Sequence, residues 1–425
     1  MTCIAAPFIP FNFWAFCPAL LTSQVYPNRF ISRVGKRRAH GCRRVHWPSL
    51  PITARCTPGK VQAVGICWGM LSRCFLILNA PISRGSPFSR PVTRFNSFGL
   101  IMLKVVRAQG QGIVSDLGRW GYQHEGVPIG GVLDTFSFSL ANLALGNQAN
   151  AACLELMGQF DFVCAKPCLV LFANRGAHAL LNNKPVLCGQ VLGLQEGDVL
   201  RTQPPGLGFW NVLCVQGGVD VPEMMGSRST CLVAGFGGLQ GRALQVGDEL
   251  HFARKFTTSI RHGVRLAMPL ARTEHSACLV LHVLPGPEFF ELSENSQHLF
   301  TRQHFSLGTQ SSRMGYRLEA LESPLSLKHE VSLRSHAVHP GLVQLPPSGQ
   351  PVVLLCEAQV TGSYPRIGSV LSCDLWKLSQ LGGGESVSWV LVNEQQAQRL
   401  QARHELDRKR YQQAIEYNKA TTHVD

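Results

Sequence analysis

Short apolar segments, interrupted every few residues by glycine, proline or aspartate, dominate the chain beyond Met102. The segments are rich in Val, Leu and Phe, and they are too short for core helices but typical of strands. We predict strands over Leu103–Arg107, Cys168–Asn174, Val199–Thr202, Gly208–Gln216, Cys278–Leu284, Pro351–Gln359 and Ser386–Val392. The pattern therefore predicts a mainly β fold with a few helices.

Two similar turns, LQEGDVL at 194–200 and LQVGDEL at 244–250, lie between apolar runs. In both, glycine allows a positive φ angle and the aspartate side chain can accept hydrogen bonds from its own backbone. Two copies do not make a repeat protein. They do favour a barrel-like arrangement of short strands.

Two segments have helical periodicity. Asp134 is placed to cap a helix whose apolar side chains share one face and which ends at Gly146. A second, polar helix is predicted over roughly 393–418, and we expect it to lie on the surface or to extend as a tail. Its thin apolar stripe consists of Ala397, Leu400, Tyr411 and Ile415.

Charge is distributed unevenly along the chain. A net charge of +14 would ordinarily indicate binding to nucleic acid or to a membrane surface. However, residues 1–100 hold 13 of the 40 basic residues and none of the 26 acidic ones, so the remainder is close to neutral. The basicity belongs to one segment, and we expect neither nucleic acid nor membrane as a partner.

The N-terminal residues 1–101 show no sustained period of 2 or 3.6. Prolines interrupt the first apolar stretch and no basic residue precedes it, which argues against a secretory signal and against a spanning helix. An organelle transit peptide stays open, because the segment is Arg-rich and acid-free. We favour a misassigned start, with Met102 the true one, because a strand pattern begins directly after it. We expect residues 1–101 to lie outside the fold.

The segment 255–275 is basic, polar and weakly patterned, and a new apolar strand follows it. We place a domain boundary there. The chain then divides into an N-terminal β domain at 102–260, a C-terminal β domain at 261–393 and a polar helical tail at 394–425.

Nine cysteines follow residue 100, none of them in a CxxC pair, and most lie in apolar runs. Free buried thiols in a reducing, cytoplasmic compartment are the simplest interpretation. The histidines at 275, 282, 336 and 339 have no zinc-ligand spacing with these cysteines. We therefore predict no metal site.

The stretch from Gly226 to Asp248, GSRSTCLVAGFGGLQGRALQVGD, has six glycines among its 23 residues. A phosphate-binding P-loop requires a lysine, which this stretch lacks. A dinucleotide-binding fingerprint requires a helix after the glycines, but here a turn and a strand follow. Glycines that let the backbone pack closely at a barrel corner explain the stretch better.

The segment 115–134, SDLGRWGYQHEGVPIGGVLD, places charged side chains among glycines. Asp116, Arg119 and Asp134 either line a concave site or serve the fold, through an Asp–Arg ion pair and a helix cap. The stretches RMGYRL at 313–318 and TGSYPRIGSV at 361–370 repeat this combination. No Ser-His-Asp or Cys-His arrangement is recognisable and GxSxG is absent. The residues alone thus indicate a β-rich globular protein with Gly/Arg loops.

Eight blocks of this sequence, in order, resemble one family and span about residues 102–395. They are DLGRWGYQHEGVPIGGVLD, ANLALGN, VQGGVDVPEMMGSRST, GFGGLQGRALQVGD, LPGPE, SSRMGYRL, HPGLVQLPPSGQPVVLL and TGSYPRIGSV. The family is the C subunit of the bacterial ATP-dependent 5-oxoprolinase, also described as a biotin-dependent carboxyltransferase family. It is similar to the second allophanate-hydrolase-type domain of urea carboxylase, and it includes the antagonist of a sporulation-kinase inhibitor.

The resemblance implies two cyclophilin-like β-barrel domains and a heteromeric complex with the B subunit of the enzyme. It implies that a separate A subunit uses ATP, that this chain binds no cofactor directly, and that the complex opens 5-oxo-L-proline to L-glutamate. Two alternatives stay open. One is a carboxyltransferase of the urea carboxylase type, which would need biotin on a carrier in trans because this chain has no biotinyl Met-Lys motif. The other is a regulatory protein that binds a partner similar to the B subunit.

Lactam opening needs a polarised carbonyl and a stabilised oxyanion, which arginines and backbone N–H groups of Gly-rich loops can supply. By resemblance, Arg119, Arg228 and Arg313 are the expected carboxylate or oxyanion partners. Asp116, Asp134 and Tyr364 are expected to orient them or to transfer a proton. The expected substrate-binding residues are Asn142, Ser229, Thr230 and Gln344.

The sequence departs from the family pattern at several positions. Ser312 stands where SDRMG usually has Asp, and Val360 and Ser363 interrupt the usual QTTGGY. Ser115 replaces a usual Gln, and ANRG at 173–176 replaces a usual TGAD. We expect the loss of the carboxylate at 312 to unpair or retune Arg313, and the departures together permit a diverged substrate.

Overall fold

Eighteen strands and four α-helices make up the residues that the computed structural model describes: 101–173, 179–202, 210–253, 265–266, 268–269, 271 and 278–421. The predicted extension lies outside these residues except for Ile101, and so does most of the predicted boundary at 255–275. The mainly β prediction is confirmed.

The first nine strands form one sheet, in the order β5-β4-β7-β2-β8-β3-β6 with β1 paired to β2 and β9. They are β1 Ile101–Ser115, β2 Cys153–Cys164, β3 Cys168–Ala173, β4 Ala179–Leu181, β5 Lys184–Val186, β6 Val191–Leu194, β7 Val199–Thr202, β8 Asn211–Val215 and β9 Glu249–His251. The antiparallel ladder between β1 and β2 runs from Leu103 opposite Cys164 to Ser115 opposite Cys153. This long ladder places Ser115 and the loop after it at one end of the sheet.

The two similar turns have the same geometry and attach to the same ladder. In each turn the Asp side chain accepts the N–H of the Gln three residues earlier at 2.7 Å, and the glycine has a positive φ. Gly197 N–H donates to Cys164 O, and Gly247 N–H donates to Val105 O, both at 2.8 Å. The turn prediction is confirmed.

The second half contains a closed barrel of seven strands, in the order β10-β17-β14-β15-β12-β11-β18. The second-half strands are β10 Cys278–Pro285, β11 Phe305–Leu307, β12 Gly315–Ala320, β13 His336–Ala337, β14 Leu342–Gln344, β15 Val352–Leu354, β16 Thr361–Gly362, β17 Arg366–Val370 and β18 Ser386–Leu391. A parallel pairing of β10 with β18 closes the barrel. The strands β13 and β16 form a separate two-stranded ribbon.

The predicted strands agree in position but not always in length. Val199–Thr202 matches β7, and Ser386–Val392 ends one residue later than β18. The prediction of one strand over Pro351–Gln359 is wrong, because the strand ends at Leu354. Beyond it the chain turns, and Glu357 N–H donates to Arg313 O. An apolar run does not reveal that its second half forms a loop.

The helices are α1 Thr135–Ala144, α2 Glu294–Arg302, α3 Leu375–Leu378 and α4 Glu394–Thr421. Asp134 caps α1 as predicted, and Gly146 beyond its end has a positive φ. The long helix α4 docks on α1 rather than extending freely: Phe136 meets the rings of His404 and Tyr411 edge-on, and Ile415 is buried. The predicted apolar stripe of α4 is the face that packs.

Two main cores lie within the two halves, one enclosed by the first sheet and one inside the barrel. A third core forms where α1 covers β3 and β8. Leu133 and Trp210, which belong to the first half in sequence, pack into the barrel core. The two halves therefore share buried contacts, and the loops that connect them meet at one place.

Candidate functional site

Asp116 organises the loops at the end of β1. Its Oδ1 accepts hydrogen bonds from Gly118 N–H at 2.8 Å, Ser227 Oγ at 2.6 Å and Ser229 Oγ at 2.5 Å. Its Oδ2 accepts the backbone N–H of Arg228 at 2.6 Å. A buried carboxylate with this many donors is a fixed structural anion. It ties the loop after β1 to the glycine-rich stretch more than 100 residues later.

Arg119 is fully buried and only partly satisfied. Its Nη2 donates to Ser229 O at 2.5 Å, and its guanidinium carbon lies 4.7 Å from the centre of the Phe236 ring. Nε and Nη1 have no acceptor among the residues that the structure describes. Burial lowers the pKa of Arg119, while Cys231, Asp116 and Glu357 act in the opposite direction. Of the two alternatives for this segment, the Asp116–Arg119 ion pair does not form, because hydroxyl and backbone donors occupy the Asp116 carboxylate.

Arg313 joins the two halves of the molecule. Its Nε donates to Glu357 Oε1 at 2.8 Å, its Nη1 donates to Glu155 Oε2, and its Nη2 donates to Gly131 O. All of these groups are buried, and the Trp210 ring lies 5.2 Å from the guanidinium. Arg313 is thus clamped between two carboxylates. We expected Ser312 to leave this arginine unpaired or retuned; it is not unpaired, because Glu155 and Glu357 supply the charge.

The pKa shifts of Arg313, Glu155 and Cys356 follow from their burial and from the charges beside them. Burial alone lowers the pKa of Arg313, but Cys356, Glu155 and Glu357 raise it well above its usual value, so the guanidinium stays charged. Burial raises the pKa of Glu155, against the effect of Arg313 and of the Leu133 N–H. Burial also raises the pKa of the Cys356 thiol to about 12. Cys356 is therefore a neutral thiol, and it donates to Gly131 O at 3.3 Å.

The segment 129–132, IGGV, connects all three charged residues through its backbone. Ile129 O accepts from Arg119 N–H, and Val132 N–H donates to Asp116 O. Between them, Gly130 N–H donates to Cys356 O and Gly131 O accepts from Arg313. The structure thus brings Asp116, Arg119 and Arg313 together around four consecutive residues.

A small cleft, open to solvent, lies beside this segment, between the two halves. Gln123, Pro128 and Ile129 line it from the first half. Residues 338–340, 355–356 and 358–360 line it from the second half. Clefts between subdomains are common ligand sites, and this one lies directly beside the buried arginines.

Other predicted residues have local structural partners. Asp134 accepts the N–H and hydroxyl of Ser137 and the Gln380 amide, and burial raises its pKa. Asn142 bonds Ala151 O and Asn147 at the end of α1. Neither residue is among those that line the cleft. Their proposed roles in chemistry stay predictions.

The residues of the glycine-rich stretch 226–248 differ in their burial and in their bonding partners. Ser229 is buried and bonds Asp116, whereas Thr230 is buried and donates to Val114 O. The Arg228 side chain is about one-third exposed and pairs with Glu223 at 3.2 Å. All six glycines of 226–248 have positive φ, which confirms that they serve the backbone.

Besides Arg313, two predicted residues of the second half, Gln344 and Tyr364, lie around the ribbon of β13 and β16. Gln344 is buried, its Nε2 has no partner in the described part of the chain, and a Cβ at Gly362 would lie 2.7 Å from it. Tyr364 is 46% exposed on the loop that follows β16. Their roles in binding and proton transfer stay predictions.

Glu155 and Glu357, the partners of Arg313, were not among the residues that the sequence predicted for the site. Both are single charges in otherwise apolar runs, LELM and LLCEAQ. A single carboxylate within an apolar segment is the sequence signal that could have identified both residues, because buried carboxylates are almost always paired. No described group of three His, Cys, Asp or Glu residues could hold a metal ion. Nor is any described helix both long and apolar enough to cross a bilayer.

A nine-stranded sheet and a closed barrel, with buried arginines beside the cleft between them, define a carboxyltransferase-type domain with two subdomains. The profile of the carboxyltransferase domain family, subdomains A and B, matches residues 125–391. The chain belongs to this family.

Individual proteins also match this chain. The C subunit of 5-oxoprolinase from Escherichia coli is 37% identical over 312 residues, which cover 73% of this chain and 96% of the relative. The corresponding protein of Haemophilus influenzae is 31% identical, covering 72% and 96%. Urea amidolyase of Lachancea kluyveri is 27% identical, but the match covers 67% of this chain and 16% of that enzyme.

Two solved structures show the same fold. TTHA0988 is 29% identical with a TM-score of 0.61, and the match covers 68% of this chain and 55% of that one. The urea amidolyase of K. lactis, at 22% identity, has a TM-score of 0.66 over 74% of this chain and 20% of its own. These coverages place the described fold within much longer polypeptides.

Proposed function

We propose that this chain is the C subunit of an ATP-dependent 5-oxoprolinase, which helps to convert 5-oxo-L-proline to L-glutamate. The observation that carries the proposal is the match to two relatives of that name along 96% of their length. The match to urea amidolyase is weaker and covers a small part of that enzyme. In this proposal the A subunit uses ATP and this chain associates with the B subunit.

The site supports a role in binding and polarising a small acidic substrate. Arg119 supplies a buried positive charge beside the cleft, and Gly-rich loops surround it. Backbone N–H groups and arginines stabilise charge that develops on an oxygen, as lactam opening requires. Asp116 and Arg313 act indirectly: Asp116 fixes the loop that presents Arg119, and Arg313 holds the two walls of the cleft together.

Co-production with the other subunits tests the proposal. The chain would be produced with the A and B subunits, and glutamate release from 5-oxoproline would be measured with ATP. Turnover that disappears when this chain is omitted supports the proposal. A stable complex with the B subunit that has no turnover would favour the regulatory alternative instead.

A second function is supported by the family profile and the urea amidolyase match, namely carboxyl transfer from carboxybiotin on a separate carrier. The same preparation would be incubated with a carboxylated biotin carrier, and loss of the carboxyl group to an amide acceptor would be followed. Transfer that requires this chain, together with no glutamate release, would replace the first proposal by the second.

A further inference from the structure

Arg119 stands out because it is a buried cation without a counter-ion of its own. The other buried arginine of the site, Arg313, has two carboxylate partners at bonding distance. Asp116 and Glu357 affect Arg119 only through space, and its one hydrogen bond goes to a backbone carbonyl. Proteins rarely bury an unpaired charge, because the charge loses hydration without compensation. Among the described residues no acidic side chain pairs with Arg119, and an external anion would supply that charge.

The unused donors of Arg119 are specific. A guanidinium carries five N–H bonds, and three of them belong to Nε and Nη1. Neither nitrogen has an acceptor among the described residues, although both are buried. Guanidinium groups recognise carboxylates through planar, paired hydrogen bonds. The three free N–H bonds of Arg119 are available to acceptors that the described residues do not supply, such as the oxygens of a bound anion.

Two glycines lie against the Arg119 guanidinium. A Cβ at Gly237 would lie 2.9 Å from Nη2, and a Cβ at Gly130 would lie 3.4 Å from Nη1. Both glycines have positive φ, at 72° and 67°. Close backbone approach to a ligand-binding group is a characteristic use of glycine. Here glycines border the guanidinium on two sides.

The segment 128–130 separates Arg119 from the cleft. Pro128 and Ile129 line the cleft, while Gly130 faces Nη1. Its backbone is held to both halves, by the bond from Arg119 N–H to Ile129 O at 2.7 Å and by the bond from Gly130 N–H to Cys356 O at 2.8 Å. A ligand that reaches Arg119 from the cleft must displace this segment.

We propose that Arg119 binds the carboxylate of a small acid, which enters from the cleft as segment 128–130 moves. The ligand supplies the counter-charge that the described residues do not provide. This inference rests on the proposed function, for which the ligand is 5-oxoproline and Arg119 holds its carboxylate rather than its lactam carbonyl. A neutral carbonyl would leave the buried charge uncompensated, whereas a carboxylate neutralises it.

The test compares two ligands and three variants of the full chain. The probes are 5-oxo-L-proline and 2-pyrrolidinone, which has the same lactam ring without the carboxylate. Binding is measured by calorimetry for the wild type, Arg119→Met, Arg119→Lys and the control Arg242→Met. Arg242 lies on the same glycine-rich stretch, but Asp248 already binds it through two bonds at 2.8 Å.

We expect the wild type to bind 5-oxoproline at least tenfold more tightly than 2-pyrrolidinone. Arg119→Met should lose at least tenfold in affinity for 5-oxoproline, Arg119→Lys should lose less, and Arg242→Met should bind like the wild type. Thermal unfolding separates binding from folding: Arg119→Met should unfold no earlier than Arg242→Met, because it removes an uncompensated charge. Arg242→Met instead breaks a formed ion pair.

Several results would overturn the inference. They are the absence of 5-oxoproline binding by the wild type, equal affinity for the two probes, or binding by Arg119→Met within twofold of the wild type. The complex with partner proteins separates the two proposals. Turnover with an unchanged KM in Arg119→Met rejects the inference and keeps the function. Binding through Arg119 without turnover in the complex keeps the inference and rejects the function.

Discussion

Arg313 is the residue whose loss should damage this protein most. It bonds Glu155, Glu357 and Gly131 from a position that is 2% exposed, and so joins the first sheet to the loops of the barrel. Arg313→Met keeps most of the side-chain volume but removes the charge and every one of these bonds. Two buried carboxylates then lose their partner.

The magnitude follows from the burial of that pair. Removing one partner of a buried ion pair costs about 3–5 kcal/mol, because the other charge stays desolvated. Here two carboxylates are left, so we expect a loss of at least about 4 kcal/mol in the free energy of unfolding. The partly exposed Arg242–Asp248 pair should cost only ~1 kcal/mol when Arg242 is changed to Met.

The assay is urea unfolding followed by tryptophan fluorescence, since the Trp210 ring lies 5.2 Å from the Arg313 guanidinium. The loss should shrink as the pH falls. Burial already raises the folded-state pKa of Glu155 above the ordinary 4.5, and removing Arg313 takes away the charge that lowers it. The loss of unfolding free energy in Arg313→Met is therefore complete above the raised folded-state pKa of Glu155 in that variant, and it disappears below 4.5. Adding Glu155→Gln and Glu357→Gln should restore much of the stability. A loss below about 1 kcal/mol, or one independent of pH, would refute this account of the cluster.

Three further predictions concern single residues. Gly238→Ala should destabilise the fold by more than about 2 kcal/mol in thermal unfolding, whereas Gly247→Ala should cost only ~1 kcal/mol. Both glycines have positive φ, but only a Cβ at Gly238 would collide with a neighbour, Thr230 Oγ1 at 1.9 Å. Equal losses of stability in the two variants would contradict this. Asp116→Asn should cost about 2 kcal/mol and speed amide exchange over 226–230, since the amide nitrogen cannot accept the donors that the carboxylate holds; unchanged exchange would argue against the anchoring role. Burial raises the folded-state pKa of Asp134, so its contribution to stability is present below 3.8 and is lost as pH rises through the folded value; urea titrations of the wild type and Asp134→Asn should diverge in that direction and no other.

Features with local causes were predictable from the sequence. The turn at Gly197 and Asp198 requires only a positive φ and a carboxylate that reaches its own backbone, and both are encoded within four residues. The cap at Asp134 is equally local. Strand lengths were less predictable. Pro351–Gln359 forms one apolar run, but only Val352–Leu354 forms a strand. The length of a strand depends on the neighbouring strands with which it pairs, and these lie elsewhere in the chain.

The charged residues of the site show the same division. The sequence indicated that Asp116, Arg119 and Arg313 belong to loops that combine glycines with charged residues. The structure brings all three to the segment 129–132. An Asp–Arg pair in the segment 115–134 and an unpaired Arg313 were among the alternatives that the sequence left open, and neither occurs at Asp116, Arg119 or Arg313. Adjacent charges suggested pairs, whereas the actual partners came from distant strands.

Most strands, the turns, the helix cap and the family of the ordered blocks could be predicted from local sequence. The strands, turns and cap depend on backbone preferences and on side chains within a few positions. Which charges are neutralised depends on contacts between distant parts of the chain. Arg313 meets a carboxylate 158 residues away, whereas Arg119, three residues from Asp116, is left without an ion-pair partner among the described residues. Sequence separation does not limit contact once two sheets are packed together, so the buried positive charge beside the cleft became visible only in the fold.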